Sequence, residues 1–361
     1  MPRRSCNRLS ASTPTCNGDK GRRKGGLNGR SVLIALQLLG ALLLVVVASD
    51  AFTNAVEWIG VIFGLTRSAV GAVVAAIGSS LPETMVALVA LLALRDAQSQ
   101  AIGIGAVLGA PFMLSTIVFF LIGITALLRK DRSAQHKLNV PAADTVFGTA
   151  LFALTFALAL VASFVTLRSV HLAVAFSLLA AYGLYLLYHL RRRRIEAEEA
   201  PPPLRFTPHR ARPQKRFIVL QLLVALVVTV IAARWFVASV AHAATALAIS
   251  PFLVSFILAP IATELPDASN VVLWMRQRKD ELAMGSVIGA MMFQTSIACA
   301  IAMLATPWQL HVAQFVPSGL ALGSVLLLLV ATLARKRVEP WALLAGGLLY
   351  AGYLIYAAVS R

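Results

Sequence analysis

Charge is scarce in this chain, and negative charge is scarcer still. Only 13% of its 361 residues are charged, with fifteen Asp and Glu against 32 Lys and Arg; soluble globular domains carry about 25%. With 59% hydrophobic residues and a mean hydropathy of +0.80, this excludes a sizeable water-soluble domain and leaves an integral membrane protein. Cysteine is nearly absent. Cys6, Cys16 and Cys299 build no disulfide framework and have no metal-ligand spacing. Cys299 sits in an apolar stretch and reads as a small core residue.

The net charge of +17 is concentrated rather than spread. The first thirty residues carry eight Lys/Arg against Asp19 alone, and the stretch from Arg191 to Arg216 carries nine against Glu196, Glu198 and Glu199. In a membrane protein such clusters set topology and meet anionic lipid headgroups. The expected partners are the bilayer and inorganic cations; neither a nucleic acid nor a protein partner is expected, nor a resident cofactor.

Hydrophobic runs long enough to span a bilayer (about 17–25 residues) fall near 31–49, 68–94, 101–128, 144–166, 170–190, 217–240, 246–275, 282–305, 314–334 and 340–359. They predict an all-α protein of ten transmembrane helices. The shorter run 51–65, with Glu57, is expected at the interface or as an extension of the second helix. The domain plan is a basic N-terminal tail (1–30), a five-helix half (31–190), a basic loop (191–216) and a second five-helix half (217–361). With that loop cytoplasmic, the connections after helices 1, 3, 5, 7 and 9 hold 20 Lys/Arg, and the other side holds Arg95, Arg168, Arg234 and Arg361. This asymmetry fits the positive-inside rule, in a plasma or inner membrane. The N-terminal tail is the exception, since the count puts its basic residues outside.

Two stretches repeat. "AIGSSLPETMVALVA" is followed by "GIGAVLGAPFMLSTI", and "APIATELPDASNVVL" by "AMGSVIGAMMFQTSI". Each pairs a small polar couple and Leu-Pro-acid with a later G-x-x-x-G-A. The copies lie on helices 2–3 and 7–8, an offset of five helices. An odd offset inverts the second copy, the plan of secondary transporters with broken helices at the midplane.

Twelve of the fifteen acids lie in tails, loops or near helix ends; Glu83, Glu264 and Asp267 do not. Intramembrane acids mark ion pathways far more often than surface acids do. Pro82 removes the donor to the carbonyl of Gly78, and Pro266 the donor to that of Ala262, so both helices are expected to break there. Ser79 and Ser80 share a face with Glu83, and Thr263 and Glu264 share one with Asp267. Carboxylates, hydroxyls and carbonyls suit a hard cation such as Ca²⁺ or Na⁺, and the absence of His and Cys argues against zinc or copper. The blander readings are a protonated structural Glu and hydroxyls bonded to their own helix. The pairs Gly105/Gly109 and Gly285/Gly289 read as close-packing sites.

These motifs resemble the cation/calcium antiporter superfamily, the sodium/calcium exchangers and their relatives. That family carries G-[ST]-S-[LV]-P-[ED] twice and, one helix later, G-N-x-x-G-S-N-x-x-N. The first block stands here as Gly78-Ser79-Ser80-Leu81-Pro82-Glu83 and again as Ala262-Thr263-Glu264-Leu265-Pro266-Asp267. The resemblance implies two inverted five-helix repeats and a cation antiporter. It makes Glu83 and Asp267 core ion ligands, helped by Ser79, Ser80 and Thr263. The second block keeps only its glycines. Its Asn positions hold Ala106, Pro111 and Leu114, then Ser286, Met291 and Gln294; its Ser positions hold Ala110 and Ala290. Gln294 is the remaining amide, and Glu264 adds a carboxylate where the family has Ser. Three acids at one site do not all ionise without a cation, which points to proton coupling. Two rivals stay open: a non-transporting relative acting as ion sensor or scaffold, and an intramembrane aspartyl enzyme, although no G-x-G-D-like context is present.

Overall fold

The computed structural model describes residues 29–62, 80, 84–94, 96–129, 138–191, 202–210 and 213–359. Among these there are helices and no strands. In chain order they are α1 (Gly29–Ile62), α2 (Thr84–Leu94), α3 (Ala97–Leu127), α4 (Ala142–Ala162), α5 (Arg168–Arg191), α6 (Lys215–Leu247), α7 (Pro251–Arg276), α8 (Asp280–Ala305), α9 (Val312–Arg335) and α10 (Pro340–Val359). Eight of them are long and apolar enough to cross a membrane. The remaining two are the described part of α2 and the apolar start of α7, Pro251–Ile261. Leu36, Leu39 and Leu43 on α1, Phe176 on α5, and Leu223 and Val227 on α6 point outward and exposed. Apolar rings and branches over whole helix faces fit lipid rather than water. The chain is a multi-pass integral membrane protein.

Of the run 51–65, residues 51–62 belong to α1, which continues to Ile62; residues 63–65 lie outside the described residues. No Gly or Pro interrupts the chain between Ile34 and Asn54 except Gly40, so nothing stops the helix at the bilayer edge. Its 34 residues reach about 51 Å at 1.5 Å each, well beyond a hydrocarbon core of about 30 Å. The surplus end is polar and is met by the loop segment 202–206. Asn54 Nδ2 and Trp58 Nε1 donate to the Pro202 carbonyl at 3.2 and 2.9 Å. Arg205 pairs with Asp50 at 2.8 Å, which raises the Arg205 pKa. Gln221 of α6 closes the knot, donating to Ala51 O and Asn54 Oδ1 and accepting from the Phe206 amide. Leu204 is buried between Trp58 and Ile218.

The expected break at Pro266 is corrected. α7 runs unbroken from Pro251 to Arg276, through Pro260 and Pro266. A membrane helix tolerates proline when neighbours re-satisfy the freed backbone groups, so what is lost is a backbone donor rather than the helix. The companion expectation at Gly78 and Pro82 lies outside the described residues.

Polar ties join ends that the charge count assigns to one face. After α3, Arg129 forms a bidentate ion pair with Asp280 at the start of α8 and also donates to the Met275 carbonyl; the Asn139 amide adds a bond to Asp280 at 3.0 Å. On the opposite face, Arg168 at the start of α5 donates to the carbonyls of Met303 (2.9 Å), Leu304 and Thr306. These are the carbonyls a helix C-terminus leaves open. Gln98 Nε2 ties the start of α3 to Ala241 O of α6 at 3.1 Å.

Candidate functional site

α3 lies against α7 along a seam with no room for side chains. A Cβ on Gly105 would stand 2.8 Å from the Phe252 carbonyl oxygen, and one on Gly109 2.5 Å from that of Phe256. Ser255 of α7 donates across the seam to Ile102 O at 2.8 Å. This pair is the close-packing site that its spacing suggests. The second pair differs. Gly289 is buried, but Gly285 is exposed, with nothing within 4 Å of an added Cβ. A shared pattern does not impose a shared contact.

Both motif-following helices widen into a single π-turn, at Leu114–Val118 in α3 and at Gln294–Ala298 in α8. Each starts five residues after the second glycine of its pair, at the position of the family's last Asn. Such turns concentrate at functional sites, because the extra residue redirects side chains inward. Leu114 fills that place in α3 and Gln294 in α8, and both are buried. The hydroxyls that follow are buried too. Ser115 and Thr116 donate to Phe112 O, and Thr295 to Met291 O, while Ser296 Oγ finds no partner among the described residues. Sequence comparison with the family block passes over these hydroxyls, because they fall beyond its last Asn. The signal that could have found them is the paired hydroxyls Ser115-Thr116 and Thr295-Ser296 at the same distance from the glycines.

The two halves meet at Gln294. Its Nε2 reaches the Ser80 carbonyl at 3.4 Å, although the residues are 214 apart in the chain. Thr84 also donates to that carbonyl at 2.9 Å, while Ser80 Oγ is buried and finds no partner among the described residues. An oxygen with free lone pairs beside an amide, shut away from water, is a group that a cation or a proton donor can satisfy. Glu264 on α7 is 1% exposed. Thr263 donates to Ala259 O at 2.8 Å, the bland helix-backbone role, which still leaves its oxygen able to accept. The structure therefore brings Ser80 and Gln294 together and buries Glu264 and Thr263. Glu83 and Ser79 lie outside the described residues, as do the side chains of Pro266 and Asp267. Among the described residues no three His, Cys, Asp or Glu side chains gather.

The lost amides leave apolar surface. Ala106, Ala110, Pro111 and Leu114 are buried in α3, as are Ala290 and Met291 in α8. Ser286 turns its hydroxyl to Ala283 O at 3.0 Å. Among the described residues, the side-chain oxygens left on this side are the amide of Gln294 and the hydroxyls of the two π-turns, Ser115, Thr116, Thr295 and Ser296.

Comparison with known proteins agrees with the sequence motifs. The chain belongs to the sodium/calcium exchanger protein family, whose model matches residues 33–191 and 217–360 and skips the basic loop between them. It is 23% identical over 340 residues to the inner membrane protein YrbG of Escherichia coli (strain K12), covering 91% of this chain and 97% of that one. The crystal structure of the H⁺/Ca²⁺ exchanger CAX is similar in fold, with a TM-score of 0.71 and 21% identity over 89% of this chain and 82% of the other. The sodium-calcium exchanger NCX_Mj, soaked with Na⁺ and Sr²⁺, has a TM-score of 0.56 and 21% identity over 91% and 99%.

Proposed function

We propose that this chain is a secondary active antiporter, not an enzyme, exchanging Ca²⁺ or a related cation against Na⁺ or H⁺ by alternating access. Ten crossings would form two inverted five-helix halves, with the 191–216 loop cytoplasmic in a plasma or inner membrane. The core ligands in this reading are Glu83, Asp267 and Glu264, with Ser79, Ser80, Thr263 and Gln294 supplying neutral oxygens. The observation that carries it is Glu264, a carboxylate almost wholly withdrawn from solvent inside a helix of an exchanger-family chain.

A buried carboxylate must be neutralised by a cation or a proton. Competition between the two for the same oxygens couples their movement. A loaded site is electrically quiet and can turn over, whereas an empty ionised one resists burial. Movement is assigned to α1 and α6, which pack on each other, leave most of their spanning residues unburied, and are knotted together at one end by segment 202–206.

Proteoliposomes loaded with Ca²⁺ and given a Na⁺ or an H⁺ gradient separately test the reading. Gradient-driven Ca²⁺ flux is expected with at least one. Absence of flux with both, together with no ion-dependent thermal stabilisation, would remove the calcium assignment. The apolar replacements at Pro111, Leu114 and Met291 favour a second reading, a relative that binds ions without moving them. Stabilisation by Ca²⁺ with no flux would select it.

A further inference from the structure

The end of the molecule that carries the 202–206 knot also carries cations that form no ion pair among the described residues. Arg205 is accounted for by Asp50, and Arg335 and Arg337 share Glu339. Arg210, Lys215 and Arg216 are exposed, and none forms an ion pair among the described residues. Chain geometry holds them close. The Arg210 guanidinium stands 6.0 Å and that of Arg216 5.0 Å from the centre of one ring, Phe217. Phe217 in turn packs on the buried cluster of Trp58, Leu204 and Ile218. Two like charges over one ring, with no carboxylate paired to them among the described residues, repel each other until an anion comes between.

The position of this patch decides which anion. Lys215 and Arg216 open α6, and from Phe217 to Ala233 the helix carries no charge and is apolar apart from Gln221 and Thr229. Val219, Leu220 and Leu223 lie outward, 49%, 49% and 54% exposed, directly beyond the charges, and Phe206 of the loop is exposed beside them. Cations at one level and bare aliphatic surface at the next match an amphiphile: a phosphate head over Arg210 and Arg216, with acyl chains along α6. We propose that this patch is a binding site for an anionic phospholipid headgroup, held by Arg210, Lys215 and Arg216. It does not depend on the transport reading, since none of its residues belongs to the cation site. It does bear on it, because the lipid would grip the knot that joins α6 to α1.

Native mass spectrometry of the delipidated full chain tests the site with phosphatidylglycerol, phosphatidylcholine and inorganic phosphate as probes. Phosphatidylglycerol is expected to bind in preference to phosphatidylcholine and to persist against inorganic phosphate. R210Q/R216Q should weaken the preference by about fivefold for each cation removed, the equivalent of ~1 kcal/mol each near an anionic surface. R335Q/R337Q removes as much charge from cations already paired with Glu339 and should leave the preference unchanged. An equal thermal midpoint for R210Q/R216Q and the parent chain verifies the fold. Indifference between the two lipids, an equal loss in both double variants, or displacement by inorganic phosphate overturns the proposal.

Discussion

Gly109→Ala puts a methyl group where α3 and α7 leave no space. Its Cβ would stand 2.5 Å from the Phe256 carbonyl oxygen and 2.7 Å from Pro260 Cγ, against an ordinary contact of 3.4–4 Å. The nearest obstacle is backbone, which cannot rotate aside, so the helices must part by about 0.9 Å at that level in a close-packed interior. Overpacking of this kind costs about 1–3 kcal/mol. In a bilayer the loss falls on the van der Waals packing that holds helices together. Parting the seam also stretches the Ser255 bond to Ile102 O and shifts the helix that carries Thr263 and Glu264. Gly285→Ala is the control. It is the repeat counterpart of Gly105 on the other half, yet its Cβ meets nothing within 4 Å, so its effect should stay within about 0.5 kcal/mol. Thermal unfolding of both variants in one detergent, followed by tryptophan fluorescence, and Ca²⁺ flux in proteoliposomes measure the difference. Gly109→Ala should lower the midpoint by a few degrees and slow flux, while Gly285→Ala should change neither. Equal midpoints for the two variants would refute the close seam.

Glu264→Gln should reduce H⁺-driven Ca²⁺ flux by tenfold or more, roughly the loss of 1.4 kcal/mol of ion binding, with normal membrane insertion; unchanged flux would take Glu264 out of the site. Arg129→Gln leaves Asp280 buried, at 2% exposure, without its counter-charge. The expected destabilisation is on the order of 3 kcal/mol, measurable by thermal unfolding, and replacing Asp280 as well should recover most of it. Asp96 caps α3 by accepting from the Ser99 amide at 2.9 Å and from its hydroxyl, and these bonds hold its carboxyl below the usual 3.8. A depressed folded value means that the cap stabilises above pH 3.8 and fades as pH falls through the folded pKa. Asp96→Ala should therefore lower stability by about 1 kcal/mol at neutral pH, and the gap from the parent should close on acidification below 3.8; a gap independent of pH would contradict this.

The long helices were legible because each announces itself locally. Nine of the ten expected runs coincide with a described helix to within a few residues at most ends, and the tenth does so over the part of α2 that is described. The ends that misled are those where no local signal exists. Nothing in residues 49–51 tells a helix whether to stop at the bilayer edge; the polar knot of Asn54, Trp58, Gln221 and Arg205 settles that α1 goes on. Pro266 reads as a breaker, but whether a proline breaks a helix depends on neighbours that the local sequence does not contain. The site shows the same division. Gln294 was identifiable as the surviving amide of the family block, but its partner, the Ser80 carbonyl, belongs to backbone 214 residues away.

By itself, then, the sequence determined the membrane class, the succession of helices, the alternation of their charged ends and the twofold Leu-Pro-acid motif. Hydropathy, charge and repetition are properties of the chain read against a bilayer, and they need no knowledge of which helix touches which. Tertiary structure alone decided that Arg129 meets Asp280, that Arg168 covers the last carbonyls of α8, and that Gly105 and Gly109 form a seam while Gly285 does not. Each of those outcomes depends on the relative register of two helices. Register is set by the packing of whole faces, where a shift of about an ångström decides between contact and clash.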